Sequence, residues 1–150
     1  MTENLAYKPV GGLLRAELFA LEGLSSAEDM VSGAGVEVSL MDDGSSYEEL
    51  HSAEGLPVSV QHTLTLCSDR NQAREWFDEQ WLARLASEGV AARVTLSTGE
   101  QIVLGYSERF GFEQALRLQS LKFLSGKSPN DSPRVQLVLR SLDTQSALKQ

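Results

Sequence analysis

Cysteine is almost missing from this sequence: Cys67 is the only one in 150 residues. No intramolecular disulfide can form, and a cysteine-based zinc site cannot be built from one copy. Such sparing use suits a reducing compartment. Basic residues are also scarce, with 13 Lys and Arg against 21 Asp and Glu and a formal net charge of −8. Nucleic-acid affinity comes largely from clustered Lys and Arg, so this balance argues against a nucleic-acid partner and against an anionic membrane surface. One local exception is open, because Lys122, Lys127, Arg134 and Arg140 lie in the last third and can form a basic patch. No stretch approaches the roughly 20 apolar residues that cross a bilayer. Residues Met1 to Pro9 lack the basic start and apolar run of a secretion signal, so a cytoplasmic location is expected.

What the chain does have is a core. Hydrophobic residues make up 41% and charged residues 23%, ordinary values for a globular protein. A single domain of this length buries roughly 68–70% of its unfolded surface and stands without staples. Most of the regular pattern alternates with period two. Gly12 to Leu21 reads as a strand with both faces partly apolar, and Gly11-Gly12 with its short length favours that over a helix. Val36, Val38 and Leu40 alternate and end at Asp42-Asp43-Gly44, a strand followed by a turn. From Asp42 to Gly55 the composition shifts to Asp, Glu, Ser and Gly, which predicts an exposed acidic loop.

Leu56 to Cys67 is the clearest strand. Val58, Val60, His62, Leu64 and Leu66 line one face, and Ser59, Gln61, Thr63 and Thr65 line the other, as in an antiparallel sheet covering a core. A helix is predicted over Asp69 to Glu88, capped by Ser68 or Asp69. Its apolar stripe is Ala73, Trp76, Phe77, Trp81 and Leu85, and Gly89 sits just past its end. Two hairpins follow. Ala92–Leu96 and Gln101–Tyr106 are joined through Gly99, and Ala115–Leu124 and Arg134–Leu142 through a link holding Gly126, Pro129 and Pro133. Thr144 to Gln150 reads as a frayed polar tail. The expected fold is α+β, mainly antiparallel β, a sandwich or partial barrel with one packed helix.

Candidate chemistry is thin. His62 lies between Val60 and Leu64 on an apolar face, with no acid or nucleophile aimed at it from its own strand, so a satisfied core or interface histidine is the plainer reading. His51 reads as a solvated side chain in the acidic loop. The loop residues Asp42, Asp43, Glu48, Glu49 and Glu54 do not match the ordered oxygen spacing of a calcium loop. Trp76 and Trp81 are more often anchors of a helix on a sheet than a ligand cluster. At five residues apart they stand about 140° from each other on a helix, so one of them reaches the stripe's edge. Ser97-Thr98-Gly99-Glu100 lacks the lysine and glycine spacing of a phosphate loop. Cys67 has no neighbouring His or basic cluster to activate it. No catalytic residue, cofactor or metal is assigned. The candidate partner contacts are Asp42, Asp43, Tyr47, Glu48, Glu49, Asn130 and Asp131, and the candidate pocket is His62, Trp76 and Trp81.

The segments Val58–Leu66, Asp69–Glu88, Val94–Leu104 and Val135–Leu139, taken in order, resemble the tail-tube proteins of phage tails and the related distal-tail and secretion-tube proteins. The resemblance covers Leu56 to Leu142 and rests on pattern, with no short diagnostic motif. It implies a structural, non-enzymatic subunit of phage or prophage origin. It also implies ring-forming partners, self-association or docking on other assembly proteins, and a virion- or assembly-associated location. Two other readings stay open. One is a small binding module with a pocket between helix and sheet, and the other an enzyme using scattered residues such as His62, Glu100 and Asp131.

Overall fold

The computed structural model describes residues 12–22, 24, 27–30, 35–41, 44–52, 59–69, 78–106, 111–126 and 133–143. In chain order these form β1 (Leu13–Ala20), a single 3-10 turn (Ala27–Asp29), β2 (Val36–Val38), β3 (Ser46–Ser52) and β4 (Ser59–Asp69). Helix α1 (Glu79–Ser87) follows, then β5 (Val90–Leu96), β6 (Gln101–Leu104), β7 (Arg117–Leu124) and β8 (Arg134–Asp143). Two four-stranded sheets result, in the orders β2-β1-β5-β6 and β3-β4-β8-β7, with every pairing antiparallel. They are called here the β1 sheet and the β4 sheet. The expected α+β, mainly antiparallel architecture with a packed helix is what the chain forms.

Alternation builds the interior. Ala16, Leu18, Val94 and Leu104 of the β1 sheet and Leu64, Leu66, Leu137 and Leu139 of the β4 sheet form one buried cluster, joined by Leu85 of α1. Side chains of neighbouring parity point the other way, so Gln61, Thr63 and Thr65 lie on the outward face of β4. The β1 sheet is covered on its outer side as well. Phe19 and Ala91 pair across β1 and β5, and with Met30 they form a second cluster against which Leu24, Val103 and Phe112 pack. This explains why β1 is apolar on both faces and why a strand, not a helix, is the right reading of it.

Both predicted hairpins are present. Leu96 and Glu100 close the first, and Gly99, at φ +94°, supplies the left-handed backbone its turn requires. In the second, β7 and β8 pair from Arg117↔Arg140 to Leu124↔Arg134, with a bulge between Leu118 and Ser120. The hairpins go to different sheets: β5-β6 extend β1, whereas β7-β8 extend β4.

Two expectations are corrected. The predicted helix does not begin at Asp69, because Ser68 and Asp69 pair with Val135 and Arg134 as the end of β4. The described helix is Glu79–Ser87, and its cap is Asp78, whose carboxylate accepts the Trp81 N–H at 2.7 Å. Residues 70–77, including Ala73, Trp76 and Phe77 of the predicted stripe, lie outside the described residues. The end of the helix is as expected: Gly89 adopts φ +85° and donates to the Arg84 carbonyl at 2.9 Å. The second correction concerns the acidic loop. Ser46–Ser52 is a full strand, paired with β4 from Ser46↔Thr65 to Ser52↔Ser59. Its glutamates and serines have little strand preference of their own, so the pairing with β4 decides its conformation. Residues 42, 43 and 53–55 of that segment are outside the described residues.

Candidate functional site

The register of β3 on β4 puts Tyr47 opposite Leu64, Glu49 opposite His62 and His51 opposite Val60. Partners in register share a face, so Tyr47, Glu49 and His62 continue the inward face of the β4 sheet beyond its leucines. The Tyr47 hydroxyl donates to Glu49 Oε1 at 2.8 Å and lies 2.7 Å from His62 Nδ1. His62 Nδ1 is 3.6 Å from the same carboxylate oxygen, and His51 Nε2 is 2.8 Å from Glu49 Oε2. The Tyr47 and His62 rings are nearly parallel, at 14° with centroids 6.1 Å apart. Both histidines of the chain therefore meet one carboxylate.

A phenol has one proton, so when Tyr47 donates it to Glu49, His62 bonds the Tyr47 oxygen only as the tautomer that carries its proton on Nδ1. Burial first, then the hydrogen bond to Glu49 and its negative charge, push the Tyr47 hydroxyl well above the usual tyrosine value. The phenol is thus held neutral. The cluster runs from half-exposed His51 to buried His62, and none of its four members lines either of the two depressions described next.

The first depression lies between α1 and both sheets and is lined by Leu18, Val36, Trp81, Leu82, Leu85, Leu121 and Leu137. Its volume is about 10 Å³, room for roughly one water, and its walls are apolar. Trp81 is half-buried there, with the Arg84 guanidinium 5.5 Å from its ring. The second depression, about 20 Å³, sits on the outer face of the β1 sheet among Arg15, Glu17, Arg93, Thr95 and Gln101. Its charges are occupied within the fold. Glu17 accepts the Gly35 N–H at 2.8 Å, Arg93 donates to the Met30 carbonyl and to Gln101, and Arg15 pairs with Glu37.

The predicted site residues separate accordingly. His62 and Trp81 do not meet: His62 joins Tyr47 and Glu49, while Trp81 packs near Leu137, whose partner Leu66 is four residues, about 13 Å, along β4 from His62. Trp76, Asp42, Asp43, Asn130 and Asp131 lie outside the described residues. Among the partner candidates, Glu48 is exposed on the outward face of β3, whereas Tyr47 and Glu49 turn inward. Among the described residues no group of three His, Cys, Asp or Glu side chains could hold a metal ion, and no helix is long and apolar enough to cross a membrane. Cys67 is buried under Met41 and Ser45, with its backbone N–H on Ser45 Oγ at 2.8 Å.

Sequence reasoning marks the β3 segment as an exposed partner contact but misses that it is a strand, and it misses β7 as a surface. Leu50 on β3 is 55% exposed, and Phe123 and Leu124 on β7 are 54% and 41% exposed, although each lies in a regular strand. Lys122, Arg134 and Arg140 do share one outward face, with Arg117 opposite Arg140, and Arg140 donates to Gln61. Lys127 is outside the described residues. Compared with protein-family models, with curated proteins and with solved structures, the chain finds no match.

Proposed function

We propose that this protein is a structural subunit that works by assembling with other protein chains, in the manner the tail-tube resemblance implies, and that it carries out no catalysis. The observation behind this reading is the placement of large apolar side chains on the two outer strands of the β4 sheet. Leu50, Phe123 and Leu124 are 55%, 54% and 41% exposed, whereas Leu64, Leu66, Leu137 and Leu139 of the same sheet are buried. Scattered exposed apolar residues need no explanation, but these fall on outer strands beyond which, among the described residues, no further strand pairs, and such edges invite another chain. A pocket-based reading has less support, since the cavity beside Trp81 holds about one water and His62 is not part of it.

Light scattering after size exclusion, over a hundredfold range of concentration and at two salt concentrations, tests the proposal. The expected result is a mass that rises above the 16.4 kDa of one chain as concentration increases. A single-chain mass throughout the range would overturn it.

A further inference from the structure

The two outer strands of the β4 sheet carry opposite charge. On β3 (SYEELHS) both charged residues are acidic, Glu48 and Glu49, and on β7 (RLQSLKFL) both are basic, Arg117 and Lys122. The strand directions also fit. Because β3, β4, β8 and β7 alternate, β7 runs antiparallel to β3, so a second copy set beside the first in the same orientation would continue the sheet without reversing the pattern.

Resting on the assembly reading above, we propose that β7 of one copy adds to β3 of the next, head to tail. Glu48 then lies opposite Lys122. That register sets Tyr47 opposite Phe123, Glu49 opposite Leu121, Leu50 opposite Ser120 and Ser46 opposite Leu124. Faces are respected throughout. Tyr47 shares the inward face of Leu64, and Phe123 that of Val135, while Glu48 and Lys122 both point outward, opposite Thr63 and Gln136. All five pairs use the part of β7 beyond its bulge, where the strand is regular.

The alternatives are less favourable on the same grounds. Two β3 edges paired with Glu48 opposite Glu48, or two β7 edges paired with Lys122 opposite Lys122, would be like-charge cross-strand arrangements, and no register of either pairing brings Glu48 to Lys122. A lysine on an edge strand is a common guard against stray pairing, and here Glu48 on the opposite edge answers it. Just before β7, Leu116 exchanges both backbone bonds with Val90, so the edge available to a second copy begins at Arg117. Helix α1 packs against Leu121 and leaves Phe123 more than half exposed. A contact between two different edges is heterologous and repeats, closing into a ring or running on as a filament.

Charge reversal tests the junction. Lys122→Glu and Glu48→Lys each place like charges opposite each other, and each is expected to weaken self-association about tenfold in light scattering, more at low salt than at high. The double variant, with both charges exchanged, is expected to return to within about threefold of the wild type, and an equimolar mixture of the two single variants should associate again. Both positions are exposed, so unchanged far-UV dichroism and melting temperature would show that the fold is intact. A wild type that assembles, with single variants that assemble equally well, would overturn this junction and leave the assembly reading standing. A wild type that stays a single chain would overturn both.

Discussion

The two sheets have the same number of strands and the same antiparallel pairing, yet they treat their polar groups differently. The β1 sheet packs apolar side chains on both faces, with Leu14 at the start of β1 the exception at 63% exposed. Its inner face joins the main core, and its outer face carries Phe19, Met30 and Ala91 beside a polar group in which Glu17, Arg93 and Arg15 are each bonded within the fold. Among the described residues the β4 sheet is covered mainly on one side, with Cys67 under Met41 and Ser45 the covered part of its outer face. Its inner face passes from leucines to the Tyr47–Glu49–His62 cluster, and its outer face and edges present Glu48, Leu50, Lys122 and Leu124 to solvent. A sheet that satisfies itself contributes stability, whereas one that leaves complementary groups outward has something to offer a partner.

Three substitutions probe this contrast, taken from the largest expected effect to the smallest. Leu64 is fully buried where the two sheets meet, so Leu64→Ala removes contacts that both rely on. A loss of about 2–5 kcal/mol is expected in urea denaturation. The same experiment on Tyr47→Phe should show a loss of about 1–3 kcal/mol, because Glu49 and His62 would each lose a part-buried hydrogen bond.

Tyr47 also predicts a pH dependence with a definite sign. Its folded-state value is raised above the usual 10.0, so the unfolded chain releases the phenolic proton first as pH climbs. The stabilisation is complete below about pH 10 and is lost progressively above it. Denaturation midpoints at pH 8 and pH 10.5 should therefore fall further apart in the wild type than in Tyr47→Phe. An equal fall in both would show that this phenol does not drive the alkaline loss. The smallest change belongs to the β1 sheet. Arg15 and Glu37 are both about half exposed, so Arg15→Ala should cost less than about 0.5 kcal/mol.

Much of this architecture is legible in the residues. The strict alternation from Val60 to Leu66 marks β4, and Gly99 between two alternating runs marks the β5-β6 hairpin. The start of α1 was misplaced because Ser68 and Asp69 look like caps when read alone, while in the fold their backbone belongs to a ladder with β8. Strand β3 was hidden for a different reason. Its inward residues Tyr47, Glu49 and His51 are polar, so alternation exists without the hydrophobic contrast that reveals it. The same strand carries three of the predicted partner residues, Tyr47, Glu48 and Glu49, for which charge and composition were the only signal.

By itself the sequence determined the type of most elements and which of their faces is buried, because both follow from short-range periodicity and from glycines at turns. Only the tertiary structure decided which strands become neighbours: that β5-β6 join β1, that β7-β8 join β4, and that β3 closes the far edge. Alternation says which side of a strand avoids water, but it carries no address for the strand beside it. That choice depends on long-range register and side-chain fit, and it alone brings both histidines to Glu49 and sets an acidic edge and a basic edge on opposite sides of one sheet.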